Sequence, residues 1–208
     1  TEYSIKCAIA DYTSLCLVED KSRLMAFCMA NGFPHPRTER IVNESLEKAA
    51  HIIGFPSLIK PDFSVGAKGI SLVNSLEELK RKYPEIHAKY GTCSLQEYID
   101  NIDYHYNVMI YRNHDGKCLG HTITRIYRMY PIKGGSSSCC VTIEDEQLLS
   151  ICLSLLNVLG WVGMADFDVL QCKDTMEYKI IEINPRVRAS LRAAQISGVN
   201  FPAIIVKD

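Results

Sequence analysis

The sequence lacks an excess of charge of either sign. Its 23 Lys and Arg stand against 24 Asp and Glu, a net charge of −1, so no electrostatic field steers the chain toward nucleic acid or an anionic membrane. Paired CxxC spacing is missing too. Nine cysteines is an odd number, and without zinc or redox spacing they read as small apolar residues of a reduced, cytoplasmic protein. No clean apolar run is long enough to cross a membrane. The longest, "LLSICLSLLNVLGWVGMADF", is interrupted by Ser150, Ser154 and Asn157, and its leucines form a stripe at helical spacing. A basic segment feeding an apolar one, the mark of a secretory leader, is absent from the start. So are a P-loop, a dinucleotide fingerprint, internal repeats and a low-complexity linker. No Ser–His or Cys–His pair stands out as a nucleophile. The chain begins at Thr1 without Met, which suggests a fragment or a processed chain.

What is present suffices for a sizeable core: 208 residues, 47% of them hydrophobic. A helix is expected from Asp20 to Asn31, stopped by Gly32, and then an extended connector, "FPHPRT". "NESLEKAAHIIG" predicts a helix capped by Asn43, with Leu46, Ala49, Ala50 and Ile53 inward and Gly54 at its end. The strand "SLIKP", the loop of "DFSVGAKGISLV" leading into a second strand, and a short helix from Ser75 to about Tyr83 follow. Strands are expected in "CSLQEYI", "YHYNVMIYR" and "CLGHTITRIYRMY", the last two joined by a turn at 113–116. After a helix over 145–159 come a hairpin of "GMADFDVLQC" with "EYKIIEIN" and a final helix from Ala189 to Ser197. Hairpins rather than alternating strands and helices predict an α+β fold with largely antiparallel sheets.

Two stretches carry chemistry. In "EYKIIEINPRVRAS" alternation sends Ile181 and Ile183 one way and Glu182 and Asn184 the other, with Arg186 and Arg188 beyond. A five-residue hairpin loop, Lys173 to Glu177, would set Asp168 opposite Glu182 and Asp166 opposite Asn184. Facing carboxylates repel. Either a divalent cation joins them, Mg²⁺ or Mn²⁺ by ligand type, or Arg186, Arg188 or Lys179 pairs with them. In "KPDFSVGAKGI", Gly66 and Gly69 let backbone N–H groups approach an anion, and Ser64 and Lys68 add a hydroxyl and a cation; an ordinary glycine turn is the alternative. Lys60, inside an apolar strand, is either an edge residue or a buried cation with an anionic partner. "QEYI" is an adenine-reading hinge or a plain amphipathic strand.

Taken in order, "EDKSRL", "GFPSLIKPDFSVGAKGI", "SLQEYIDNIDYHYNV", "KGGSSS", "LGWVGMADFDVL" and "IIEINPRVRAS" resemble the ATP-grasp superfamily. The resemblance covers nearly the whole chain and is nearest to the branch of the carbamoyl-phosphate synthase large chain. It implies that Lys21 and Lys60 hold ATP phosphates beneath a mobile loop carrying Ser64, Gly66, Lys68 and Gly69. Glu97 and Ile99 would read adenine with Gln96 beside them, and Asp103, where glutamate is more usual, would hold ribose. Asp168, Glu182 and Asn184 would be magnesium ligands, and the catalytic residues would be Arg186, on phosphate or acyl phosphate, and Lys68 of the mobile loop. Arg188 and Ser190 lie where branches of the superfamily differ. His105, His121, Arg125, Arg128 and Lys133 are further candidates for lining the site, Arg128 foremost for phosphate.

The domain expectation is a tail of a missing N-terminal domain in 1–19 and an ATP-grasp domain in 20–208, with 55–95 as its lid. The implied activity is an ATP- and Mg²⁺-dependent ligation of a small-molecule carboxylate to an amine or similar nucleophile through an acyl phosphate. Neither nucleic acid nor membrane is an expected partner, and a homodimer is left open. The alternative function is a regulatory module that binds ATP without ligating anything.

Overall fold

The computed structural model describes residues 8–42, 45–64, 66–130 and 135–208. It has two antiparallel sheets. The smaller runs in the order β1 (Thr38–Arg40), β4 (Cys93–Glu97), β2 (Ser57–Pro61), β3 (Ser71–Val73). Helices α3 (Leu46–Ile53) and α4 (Leu76–Tyr90) cover one of its faces, closing a core of Ile41, Ala49, Ile53, Ile59, Val73, Leu79 and Leu95. Register sets Arg40, Ser94 and Lys60 side by side on the other face, next to the row Thr38, Gln96 and Leu58. Lys60 is therefore an interior cation on the face away from the helices.

The larger sheet has the order β7 (Ser136–Ile143), β6 (Cys118–Tyr130), β5 (Asn101–Arg112), β8 (Gly163–Cys172), β9 (Tyr178–Asn184). Against one face pack α1 (Tyr12–Glu19), α2 (Lys21–Ala30) and α5 (Glu146–Val158), burying Leu24, Met25, Val108, Ile110, Leu155 and Phe167. Part of the opposite face is covered by α6 (Leu191–Ile196) and α7 (Phe201–Lys207), around Met109, Tyr111, Ala194 and Phe201. Its remainder presents Asn107, Asp166, Asp168, Glu182 and Asn184. Among the described residues no helix is long and apolar enough to cross a membrane, and all eight described cysteines are free.

Several sequence expectations need correction. Helix α4 does not stop near Tyr83 but runs to Tyr90 with Pro84 inside it. Proline removes the bond to the carbonyl four residues back; that carbonyl belongs to Lys80, on the solvent side, where water can take it. Gly91 then ends the helix at φ +79. Helix α3 begins at Leu46 after Ser45, and Asn43, its expected cap, lies outside the described residues. The helix expected from Ala189 to Ser197 is α6, and a further, unforeseen helix, α7, starts after Asn200, whose side chain caps the N–H of Ala203. Strands β1 and β7 and helix α1 were not foreseen. On β9 it is Ile180 that is buried in the core and Ile181 that is only half-buried, because the register with β8 shifts between Asp168 and Val169.

Candidate active site

The floor of the site is the polar face of β8, β9 and β5. Asp168 pairs with Glu182, and Asp166 with Asn184. Nearer the turn Gln171 pairs with Tyr178, one residue off the register of a five-residue loop. The extra residue, Ile181, forms a bulge that restores the alignment at the acids.

The two floor aspartates meet Arg188, one of the three cations offered as their partners. Arg188 Nε donates to Asp166 Oδ2 at 2.7 Å, its Nη2 donates to both oxygens of Asp168 at 2.7 Å, and its Nη1 donates to Asn107 Oδ1 at 3.0 Å. Asn107 and Asn184 donate their amides to Asp168 as well, and Arg186 donates to Asn184 Oδ1 at 3.0 Å. Asp166 is fully buried; burial pushes its carboxyl up to about 7, with Arg188 pulling the other way. The two carboxylates in turn raise the pKa of Arg188 against its own desolvation.

Two lysines face this floor. Lys21, the first residue of α2, is buried and bonds Glu182 Oε1 at 3.1 Å and the carbonyl of Ser64 at 2.8 Å. It thus ties the glycine loop to the carboxylate on β9. Lys60, also buried, donates to Gln96 Oε1 at 2.8 Å, and Gln96 donates in turn to Thr38. Burial lowers the Lys60 pKa to about 8; Glu182 and Asp168 favour its charge and Lys21 opposes it. Among the described residues its one direct partner is a neutral amide, so the buried ammonium is under-compensated, and an incoming polyanion would complete it.

A third cluster joins the sheets. Asp20 caps α2 and Asp62 follows β2; Arg40 reaches Asp62 Oδ2 at 2.9 Å and Asp20 Oδ2 at 3.5 Å. Ser94 donates to Asp62 at 2.5 Å, and the Lys21 backbone N–H donates to the Asp62 carbonyl at 3.2 Å. Lys21 is held in place by this network as well as by its own side chain.

The remaining candidates are distributed as follows. Lys68 and Gly66 are exposed. Gly69 has a packing reason to be glycine: at φ +78, an added Cβ would come within 2.8 Å of Pro61 and the Tyr90 ring. The Glu97 carboxylate is held by Arg37, whose carbonyl also accepts the Glu97 N–H, so that N–H is not free for a base edge. Ile99 is buried nearby. The side chain of Asp103 and the whole of Lys133 lie outside the described residues. His105 and Arg128 line a cavity of about 620 Å³ with Tyr127, Tyr130 and Ser138; burial lowers the His105 pKa, with Asp168 opposing that shift. Arg125 stacks on Tyr104 and Tyr106 instead.

Carboxylate and amide oxygens on neighbouring strands suit a small hard cation, and Glu182 is accessible to one, its side chain being 29% exposed. Among the described residues no three His, Cys, Asp or Glu side chains gather into a metal site; the expected ligands, Asp168, Glu182 and Asn184, amount to two carboxylates and one amide. Asp168 and Asn184 fit by type, but both are engaged with arginines, so coordination requires those bonds to be exchanged.

Comparison with known proteins identifies the family and the fold. Residues 20–207 match the family model described as carbamoyl-phosphate synthase L chain, ATP binding domain. The chain is 26% identical over 219 residues to the carbamoyl phosphate synthase large chain, N-terminal section, of Methanopyrus kandleri, covering 99% of this chain and 38% of that protein. It is 26% identical to the arginine-specific large chain of Bacillus subtilis, covering 99% of this chain and 21% of that one. The chain thus spans well under half of either relative. Among solved structures, the biotin carboxylase domain of Hydrogenobacter thermophilus 2-oxoglutarate carboxylase, in complex with MgADP, ADP and bicarbonate, matches at TM-score 0.80 and 20% identity, covering 96% of this chain and 47% of that one. N5-carboxyaminoimidazole ribonucleotide synthetase from Thermotoga maritima matches at TM-score 0.64 and 23% identity, covering 88% and 46%. The fold is that of the ATP-grasp proteins.

Proposed function

The chain belongs to the carbamoyl-phosphate synthase L chain, ATP binding domain family, and from that premise we propose that it is the ATP-binding unit of a cytoplasmic carboxylate ligase. It would phosphorylate a small carboxylate to an acyl phosphate, which an amine or similar nucleophile then consumes. The observation that carries this reading is the pairing of Asp168 with Glu182 on the sheet floor beneath two buried lysines, Lys21 and Lys60. Acids alone would suit a salt-bridge cluster; acids facing an under-compensated buried ammonium suit a metal–polyphosphate.

In this reading Lys60 and Lys21 take phosphate oxygens, and Lys21 exchanges its bond to the Ser64 carbonyl for the ligand as the loop settles over it. The unit spanning 55–95 acts as the lid, and the backbone around Glu97 and Ile99 receives the base. Asp168, Glu182 and Asn184 would hold Mg²⁺ or Mn²⁺, which would supply neutralisation of the phosphate charge. Arg186, next to Asn184, meets the transferred phosphoryl group. Positioning and charge neutralisation supply the catalysis, with no covalent enzyme intermediate.

The test is Mg²⁺-dependent ADP release by full-length protein across a carboxylate panel. Bicarbonate comes first, being the anion in the Hydrogenobacter complex. Release stimulated by one member supports the ligase. Tight ATP binding without turnover across the panel would assign a regulatory module instead.

A further inference from the structure

Arg188 sits where a divalent cation is expected. Its Nη2 spans both oxygens of Asp168 at 2.7 Å, and the amides of Asn107 and Asn184 fill what remains. Both Asp168 oxygens are thus engaged, so a metal taking either must displace a donor, and Arg188 is the one that carries charge. The neighbouring acid offers that arm a destination. Asp166 already accepts from Arg188 Nε through Oδ2, while its Oδ1 is buried and has no hydrogen-bond partner among the described residues. Guanidinium and carboxylate match as a two-pronged fork. Moving Nη2 from Asp168 to Asp166 Oδ1 would complete that fork and satisfy the orphaned oxygen.

We propose that Arg188 is a metal-exchange residue: in the metal-free site it bridges Asp168 and Asp166, and on metal entry it withdraws to a two-pronged pair with Asp166 alone. The proposal rests on the assignment of Asp168 as a metal ligand. Arg188 thereby keeps two adjacent acids compensated before the ion arrives, and it sets the affinity of the site by competing for it. Asn184 turns with it, since the amide N–H now given to Asp168 must yield to the amide oxygen for coordination.

The two residues have opposite expected effects, which a merely structural role would not produce. Binding of Mn²⁺ to full-length protein, with a non-hydrolysable ATP analogue present, is read by electron paramagnetic resonance. Arg188→Gln removes the competitor and is expected to tighten Mn²⁺ by roughly tenfold. Asp166→Asn removes the place of withdrawal, leaves Arg188 with Asp168 as its sole anion, and is expected to weaken Mn²⁺ several-fold. The double variant Asp166→Asn with Arg188→Gln takes out one buried charge of each sign together, which guards against misfolding of the single variants, and should bind Mn²⁺ as tightly as Arg188→Gln. Unchanged or weaker binding in both Arg188 variants would overturn the proposal while leaving the metal reading intact. No Mn²⁺ binding in the wild-type protein would overturn the metal reading, and the exchange role with it.

Discussion

Two clusters in this molecule have the same composition, two aspartates on one arginine, and different exposure. At the joint between the sheets, Arg40 serves Asp20 and Asp62; on the floor, Arg188 serves Asp166 and Asp168. The joint acids are both almost completely buried, with side chains 4% and 0% exposed, and the exposed part of that cluster is the arginine, at 37%. On the floor it is one of the acids, Asp168, that keeps 21% exposure. That acid also lies across from Glu182 and within the field of Lys60. Acids that are both dry beside a wet arginine suit a brace of the fold; an acid that keeps as much exposure as its half-buried arginine has room to exchange its partner. The count of charges does not separate the clusters, whereas the distribution of solvent between acid and base does.

The sharpest way to test the functional side is Glu182→Gln, which keeps the shape and removes the charge opposite Asp168. Turnover by the full-length protein is expected to fall on the order of 100-fold, with nucleotide affinity changed by less than about tenfold. Full turnover in this variant would mean that the floor is only a salt-bridge cluster.

Arg40→Met addresses the joint. It strands two buried carboxylates, and removing one partner of a buried pair costs about 3 to 5 kcal/mol. With Arg40 over a third exposed, the expected loss is nearer 2 kcal/mol, read from the urea midpoint. The Lys21 backbone is tied to Asp62, so nucleotide affinity should weaken as a consequence, and the Mn²⁺ response to Arg188→Gln should be unaltered. A variant with unchanged stability would show that Arg40 is a surface ion pair.

Much of the floor was legible because a strand's alternation is a local rule. Glu182 and Asn184 two apart, with Asp168 a hairpin away, required only period two. The alignment survived a wrong turn because the bulge at Ile181 offset a one-residue error in the loop. Arg188 is named among three possible partners of the acids, with Arg186 and Lys179, and the structure gives it that pairing; no period past the strand end could choose it from the three. Asp166 had been placed opposite Asn184, yet nothing local showed that it would be wholly buried beside a guanidinium. Asp20, Arg40 and Asp62 meet only through tertiary packing, from three elements distant in sequence. Strand β1, "TER", has no apolar residue to announce it. Helix α7 was the more avoidable omission, since "NFPAIIVK" has an Asn cap and a proline in the first turn.

Burial raises the carboxyl pKa in both clusters, Asp62 in direction and Asp166 to about 7. An acid whose pKa is raised in the fold binds more protons there than in the unfolded chain, so its share of the stability falls as pH rises from near 4 to the folded value and is level above it. Between pH 5 and 7.5, above the range of the lowered carboxyls of Glu47 and Glu78, these acids should lower stability by roughly 1 kcal/mol, read in a His105→Gln background because the lowered His105 contributes with the opposite sign there. Asp166→Asn and Asp62→Asn should each flatten that decline in chemical denaturation. The one that flattens it more identifies the drier cluster, and a decline that survives both would remove burial as its cause.

The smallest expected effect concerns Lys60, which links the small sheet to the floor. Its pKa is lowered to about 8 because it is buried with an amide as its direct partner. A lysine lowered in this way binds fewer protons in the fold than unfolded between about 8 and 10.5, so its contribution to folding grows as pH rises through that window. For a phosphate-bearing ligand the sign reverses, since the charge that attracts it is lost over the same range. Nucleotide affinity should therefore fall several-fold between pH 7 and 9, and Lys60→Arg, with a guanidinium that stays charged, should hold it level. Measuring both trends on one sample by calorimetry separates the ligand role from the packing role: affinity that does not fall with pH would leave Lys60 as a buried cation satisfied by Gln96, and the small sheet would then contribute shape rather than charge to the site.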